Sequence, residues 1–288
     1  MSVAGLTGGL VAVIRREWRG RRISFDIFYA LALFGTLLVS THLLGDALLR
    51  GLTESGDRVG TILRRWMITS TLTLGVLLPA SGSMLGAAAV YTREERHAVE
   101  AYLLASIPIH AIFLGKFIVG LRPSLSLWML WNLFWILVQI LFHHPLGIKT
   151  EDFLWTSICL LISLVSFSSL ATAGASSRKF RSYWLRGSLV SLSCLFLVVS
   201  DVLLAEHRIS LENNPVQLIQ NLLTINPIAV LCKPLHFDLF RTDWLYAHSS
   251  VAEFGYHYPS PALYCMLYGL AGLISLAYST VILKRALR

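Results

Sequence analysis

A cluster of charged side chains between residues 92 and 100 is the part of this chain best suited to ionic contacts with another molecule. Four of them recur at i, i+3, i+4 and i+7, a spacing that places them on one face of a helix. These four are Arg93, Arg96, His97 and Glu100. Guanidinium and carboxylate groups held in a row can pair with the charges of a partner and fix its register. The alternative is an ordinary solvated loop, and the periodicity alone leaves both interpretations open.

Local signals predict that this charged segment is itself helical. Thr92 and Glu95 have the spacing of a capping box, in which each side chain satisfies a backbone N–H of the first helical turn. Glu94 and Glu95 also lie where the positive end of the helix dipole favours acidic groups. Pro108 is expected to end the helix. Three residues are predicted to face away from the charged row and to pack on the rest of the protein: Val99, Tyr102 and Leu103.

Histidine and cysteine could support metal or catalytic chemistry, but their spacing argues against it. Metal-binding histidines on a helix stand three to five residues apart, whereas those here are adjacent or scattered in predicted loops. The histidines considered are His143, His144, His207, His236 (with Asp238), His248 and His257. The four cysteines, Cys159, Cys194, Cys232 and Cys265, also lack ligand spacing and are expected to be small buried apolar residues. No catalytic or metal site is predicted.

Composition indicates a membrane protein. The 288 residues are 55% hydrophobic and only 14% charged, against about 25% charged in soluble domains, and the mean hydropathy is +0.65. The polar loops are too short to hold a soluble catalytic domain of roughly 100 residues. We therefore expect one transmembrane domain covering residues 1–288.

Six segments are long enough to span a bilayer as helices of about 20 mostly apolar residues. They are roughly 23–44, 66–90, 112–142, 153–173, 185–204 and 261–283. The third contains Arg122 and Pro123. Because proline breaks or kinks a helix, we expect a short helix there, followed by a span from about Ser124.

The distribution of basic residues predicts the orientation. With both termini in the cytoplasm, most of the 24 Lys and Arg residues fall on the inner side, as the positive-inside rule requires. Residues 92–108 then face the cytosol, and so do three basic residues that could add a second contact or only set the topology: Arg178, Lys179 and Arg181. The net charge of +8 is thereby explained without a nucleic-acid partner.

The segment before the first span is predicted to be an amphipathic helix on the surface of the membrane. Leu10, Val11, Ile14 and Trp18 share one side, and Arg15, Arg16 and Arg19 the other. Glu17 projects near the apolar side and disturbs this pattern, although Arg21 at i+4 could pair with it. The alternative is a set of flanking charges that only orients the first span.

Two further regions carry predictions. The long external segment 205–260 is expected to contain short helices, at 216–223 and after Asn226. Within the second and third spans, five polar side chains could line a transport path or simply pack helices together. These are Thr73, Ser81, Ser83, Asn132 and Gln139.

The charged segment and the residues after it resemble the signature of type-2 ATP-binding-cassette (ABC) exporter permeases. In that family a charged start leads into Gly-Thr, a hydrophobic residue and Glu, then Leu-Leu, a small residue and Pro, and finally Gly-Lys at the next span. The matching positions here are the charged residues 94–96, Glu100, Leu103-Leu104, Pro108 and Gly115-Lys116. The chain departs from the pattern at His97-Ala98, where Gly-Thr is usual.

The resemblance implies an all-α fold with six spans, both termini cytoplasmic, an amphipathic N-terminal helix and small helices in the last external loop. It implies the membrane-spanning subunit of an exporter in the plasma membrane, pairing with a second permease, the same or related, and with separate cytosolic ATPases. Seven residues would contact the ATPase: Arg93, Glu94, Glu95, Arg96, His97, Glu100 and Lys116.

ATP and Mg would be bound by the partner, because this chain has no Gly-x-x-x-x-Gly-Lys-Ser/Thr phosphate loop of its own. Two alternatives remain open at this point. One is a non-transporting subunit that anchors or senses through its ATPase partner, and the weaker one is a membrane-embedded enzyme.

Overall fold

The computed structural model describes residues 3–20, 58–91, 101–141, 148–175, 215–242 and 255–286, with isolated helical positions between residues 31 and 42. In this described part the chain forms helices and no strand, which confirms the all-α prediction for it. The continuous helices are α1 (Val3–Gly20), α2 (Arg58–Tyr91), α3 (Ile109–Leu141), α4 (Thr150–Ala175), α5 (Pro215–Ile225), α6 (Pro227–Cys232) and α7 (Pro261–Ala286).

Four of these helices are long and apolar enough to cross a membrane: Gly60–Leu85 of α2, all of α3, Thr150–Gly174 of α4 and Pro261–Ile282 of α7. They coincide with four of the segments that hydropathy predicted. The other two predicted spans, 23–44 and 185–204, lie mostly or wholly outside the described residues. The structure therefore supports a membrane-embedded helical protein, and the full set of six spans stays a prediction.

The predicted break at Pro123 is wrong, because α3 runs through that residue without interruption. Pro123 is buried, and proline is tolerated inside membrane helices when neighbouring helices cover the freed backbone groups. The charge boundary nevertheless falls at this point, since residues 123–141 contain no charged side chain. At about 1.5 Å per residue this part is about 28 Å long, close to the thickness of a bilayer core. Residues 109–122 form an extension of the same helix.

Small residues allow α2 to pack closely on its neighbours. A Cβ atom added at Gly82 would clash with Leu164 Cδ1 and Ser168 Oγ, both on α4. A Cβ atom added at Gly75 would lie 2.8 Å from Leu231 Cδ1 on α6. Membrane helices associate through such close contacts, because lipid removes the hydrophobic gain from packing.

Hydrogen bonds from side chains tie α3 and α7 to the same centre. The Trp128 indole on α3 donates to the Ser157 carbonyl on α4 at 3.0 Å, and Trp131 donates to Ser70 on α2 at 3.2 Å. On the other side of α4, the Ser166 hydroxyl donates to the Tyr268 carbonyl of α7 at 2.7 Å. The core thus centres on α2 and α4, with α3 and α7 flanking them.

Two short helices, α5 and α6, occupy the segment where the sequence predicted short helices. The Asn226 side chain caps α6 by accepting from the backbone N–H groups of Ile228 and Ala229, at 2.7 and 3.2 Å. Pro227 follows at the first helical position, where its missing N–H costs nothing. Every residue of α6 is buried, so this segment lies against the bundle.

Replacing Gly82 by Val should destabilise the α2–α4 contact, because the added methyl groups have no room beside Leu164 and Ser168. Overpacking of this kind costs about 1–3 kcal/mol. The matched control is Gly269→Val on α7, where an added Cβ meets nothing within 4 Å. Thermal unfolding in detergent should show a lower midpoint for Gly82→Val only, and equal midpoints would contradict the packing described.

Candidate functional site

The N-terminal helix α1 lies along the extension of α3, and we call this contact the elbow. It is formed by Gly9, Val13 and Glu17 of α1 with Tyr102 and residues 107–116. Val13 is fully buried. A Cβ atom added at Gly115 would lie 2.7 Å from Val13 Cγ1, and one added at Gly9 would lie 3.3 Å from Pro108 Cδ. Glycine on each helix therefore lets the two backbones approach closely.

A buried ion pair holds the elbow. Lys116 Nζ lies 3.1 Å from Glu17 Oε1, and the two side chains are only 1% and 15% exposed. The Tyr102 hydroxyl donates to the same carboxylate oxygen at 2.8 Å. Burying two charges costs several kcal/mol each unless they are paired and hydrogen-bonded. The pair thus joins α1, the segment before α3 and α3 itself into one unit.

The aromatic ring of Tyr102 is also surrounded by positive charge. Arg16 Cζ lies 5.0 Å and Lys116 Nζ 5.8 Å from the ring centroid, within the range of a cation–π attraction. Further along α3, Arg122 Cζ lies 4.1 Å from the ring of Trp18. These contacts run in the same direction along both helices, so α1 is aligned with α3 rather than crossing it at one point.

A helix-ending motif places Tyr102 at this position. Ser106 adopts the left-handed conformation, with φ of 59°. The Ile107 N–H then bonds the Tyr102 carbonyl at 3.1 Å, and the Ser106 N–H bonds the Leu103 carbonyl at 2.9 Å. This is the Schellman pattern, which usually includes an apolar contact between the residues corresponding to Ile107 and Tyr102, and both belong to one apolar cluster here.

Pro108 follows this motif and its carbonyl accepts from the Ala111 and Ile112 N–H groups at 2.9 and 3.1 Å. The preceding helix has therefore ended before Pro108, as predicted, and α3 begins immediately after it. Tyr102 is buried as predicted, but Leu103 is 36% exposed and Leu104 88% exposed. Val99 lies outside the described residues.

The face of α1 that packs on α3 differs from the one that the amphipathic pattern emphasised. Gly9, Val13 and Glu17 recur every four residues and form the contact, whereas Val11 and Trp18 of the predicted apolar stripe remain 54% and 48% exposed. At about 100° per residue this stripe lies beside the contact face on the helix surface. The exposed Arg15 lies on the side opposite the contact face. Glu17, the residue that disturbed the pattern, belongs to the contact face and pairs with Lys116. Arg21, its predicted partner, lies outside the described residues.

The predicted ATPase-contacting residues divide into two groups. Arg93, Glu94, Glu95, Arg96, His97 and Glu100 all fall between the described residues Tyr91 and Ala101, and so does the capping residue Thr92. Lys116 is described, and it is 2% exposed with its ammonium group on Glu17. Its place is inside the elbow, which directly follows the charged segment in the chain.

The five polar residues considered for a transport path are all on α2 and α3. Ser81 is hydrogen-bonded to Ser124 across the two helices at 2.9 Å. Thr73, Ser83 and Asn132 instead donate to backbone carbonyls of the preceding turn of their own helices. Thr73, Ser81 and Ser83 are buried, and Asn132 and Gln139 are partly exposed.

A second polar cluster, the tyrosine cluster, lies at the other end of α3, where α4 begins. One oxygen of Asp238 accepts from the Tyr256 and Tyr258 hydroxyls at 2.6 and 2.8 Å. The Tyr258 oxygen accepts in turn from the Leu239 N–H at 2.9 Å. Burial raises the pKa of both phenols above the usual range, and the adjacent Asp238 carboxylate raises it further. The cluster fixes the segment after α6 to the segment before α7.

The histidines of this end do not form the arrangement considered for an enzyme. His236 Nε2 lies 3.0 Å from Asp152 Oδ2 on α4, whereas Asp238 is bound to tyrosines. His236 and His257 line an open cleft of about 400 Å³ together with Lys233 and Asp238. Among the described residues, no three His, Cys, Asp or Glu side chains are grouped in a way that could hold a metal ion.

Removing one partner of the buried ion pair should destabilise the elbow strongly. Glu17→Gln leaves the Lys116 ammonium buried without a counter-charge, a change that costs about 3–5 kcal/mol in buried pairs. Because the Glu17 side chain is 15% exposed, we expect the lower part of that range. Trypsin cleavage at the exposed Arg15 and Arg16 should accelerate as α1 detaches.

The double variant Glu17→Leu/Lys116→Met is the matched control, because it removes both charges and keeps the volume of the side chains. It should recover most of the stability lost in Glu17→Gln. A double variant as trypsin-sensitive as the single one would show that the ion pair does not determine how α1 docks.

The tyrosine cluster should lose stability in alkali. Above pH about 10, the ordinary pKa of a phenol, the unfolded chain releases protons that folded Tyr256 and Tyr258 retain. The free energy of unfolding therefore falls as the pH rises from that value towards the raised pKa of the folded state. Thermal midpoints between pH 8.5 and about 11 should fall less steeply for Tyr256→Phe/Tyr258→Phe. Equal slopes for the wild type and the double variant would contradict this prediction.

Comparison with protein families, with curated proteins and with solved structures finds no match to this chain.

Proposed function

We propose that this chain is the membrane-spanning subunit of an ABC exporter, in which a separate cytosolic ATPase drives rearrangement of the helices. The observation that carries the proposal is the elbow. The charged segment that resembles the coupling segment of type-2 exporter permeases leads directly into Tyr102, whose hydroxyl binds Glu17 beside Lys116. A force applied to the charged segment would therefore reach α1 and α3 through buried, directional contacts.

Continuity of α3 supports the same function. The helix extends from the elbow to Leu141 without a break, and its longest stretch without a charged side chain is 123–141. A displacement at the elbow would thus be carried by one continuous helix across the bilayer core.

The remaining components follow from the resemblance. ATP and Mg would be held by the ATPase subunits, and a second permease, identical or related, would complete the membrane part. The positive-inside distribution of Lys and Arg supports cytoplasmic termini in the plasma membrane. Ser81, Asn132 and the other intramembrane polar residues of α2 and α3 are the candidates for contact with the exported molecule.

The proposal predicts that charge reversal in the coupling segment weakens the ATPase contact. Arg96→Glu or Glu100→Lys should lower capture of the co-expressed ATPase by the tagged full-length chain at least about tenfold, since like charges then oppose each other across the interface. Lys149→Glu is the matched control, an exposed charge next to α4, and should capture ATPase normally. Equal capture by all variants, or no ATPase in complexes from native membranes, would contradict the proposal.

A second measurement distinguishes a force-transmitting permease from a passive anchor. In the complex reconstituted in liposomes, ATP with vanadate should change the rate of trypsin cleavage at Arg15 and Arg16, because the elbow responds to closure of the ATPase. An anchor that transmits nothing would give the same cleavage rate with and without nucleotide.

A further inference from the structure

Two cysteines that lie 106 residues apart in the chain meet between α4 and α7. Cys159 Sγ and Cys265 Sγ are 3.7 Å apart, and both thiols are free. Cys232, the other described cysteine, is buried and donates to the Ile228 carbonyl of its own helix at 3.5 Å.

The surrounding contacts fix α4 against α7 and so keep the two sulfur atoms close together. The Tyr264 and Ser163 hydroxyls are 2.7 Å apart, and the rings of Phe167 and Tyr268 stack with centroids 5.4 Å apart. A Cβ atom added at Gly272 would lie 3.1 Å from Ser166 Oγ. These contacts cover about two turns of both helices, so the sulfur atoms do not depend on a mobile loop for their proximity.

We infer that Cys159 and Cys265 form a redox-active dithiol whose oxidation to a disulfide joins α4 to α7. A disulfide bond is about 2.05 Å long, so the sulfur atoms must approach by about 1.7 Å from the 3.7 Å separation.

The different exposure of the two cysteines sets the order of the steps. Cys265 is partly exposed and Cys159 is fully buried, so the Cys265 thiolate attacks first. With a small apolar disulfide as oxidant, it forms a mixed disulfide and releases one thiol. Cys159 then attacks Sγ of Cys265, gives up its proton in that step and releases the second thiol. In total two cysteine thiols are oxidised, one disulfide is reduced to two thiols, and the two cysteine protons end on the released thiols.

The test uses the full-length chain in liposomes with Cys194→Ser and Cys232→Ser, which leaves only the proposed pair. Treatment with dithiodipyridine should release two thiopyridone molecules per chain, lower the intact mass by about 2 Da and yield a linked pair of proteolytic peptides containing Cys159 and Cys265. The thermal midpoint should rise on oxidation and return when dithiothreitol is added.

Single replacements provide the controls. Adding Cys159→Ala should leave a stable mixed disulfide on Cys265, with one thiopyridone released and no peptide pair. Adding Cys265→Ala should leave Cys159 unmodified in the folded protein, because it is buried. A persistent mixed disulfide in the chain that carries both cysteines, or a link found only between two chains, would overturn the inference.

Discussion

A carboxylate and an ammonium group pair in a largely buried contact where three parts of the chain meet, and the docking of α1 on α3 depends on that contact. Burying either charge without the other would be strongly unfavourable, and the Tyr102 hydroxyl satisfies the carboxylate further. The two helices approach closely because Gly9 and Gly115 place no side chain between the two backbones. Charge pairing and close packing thus select the same arrangement of α1 and α3.

The centre of the bundle is held in a different way. There the contacts are between small residues and uncharged hydroxyls, such as Ser81 with Ser124 and Gly82 with Leu164. A hydroxyl group that donates to a carbonyl of its own helix, as that of Thr73 does, has its hydrogen-bonding need met without a partner outside the helix. The described protein therefore combines a charged contact at one end with a nearly uncharged centre, and the tyrosine cluster closes the other end through Asp238.

Hydropathy predicted four of the spanning helices to within about six residues at each end, because the bilayer sets their length and polarity. Local sequence also indicated the end of the helix before Pro108 and the start of α6 at Asn226, where the residues involved are neighbours. It failed at Pro123, since neighbouring helices decide whether proline breaks a helix. The partners of Glu17 and Cys159 were missed because both lie about 100 residues away in the chain. The acidic Glu17 near the apolar side of α1 was the one sequence feature that hinted at such a contact.

The unbroken course of α3 has a mechanical consequence. At about 1.5 Å per residue its 33 residues make a rod about 50 Å long. A pivot near one end would convert a tilt of about 5° into a movement of about 4 Å at the opposite end. That movement exceeds the 3.0 Å between His236 and Asp152, so a small rotation of α3 would be large enough to make or break polar contacts at its far end.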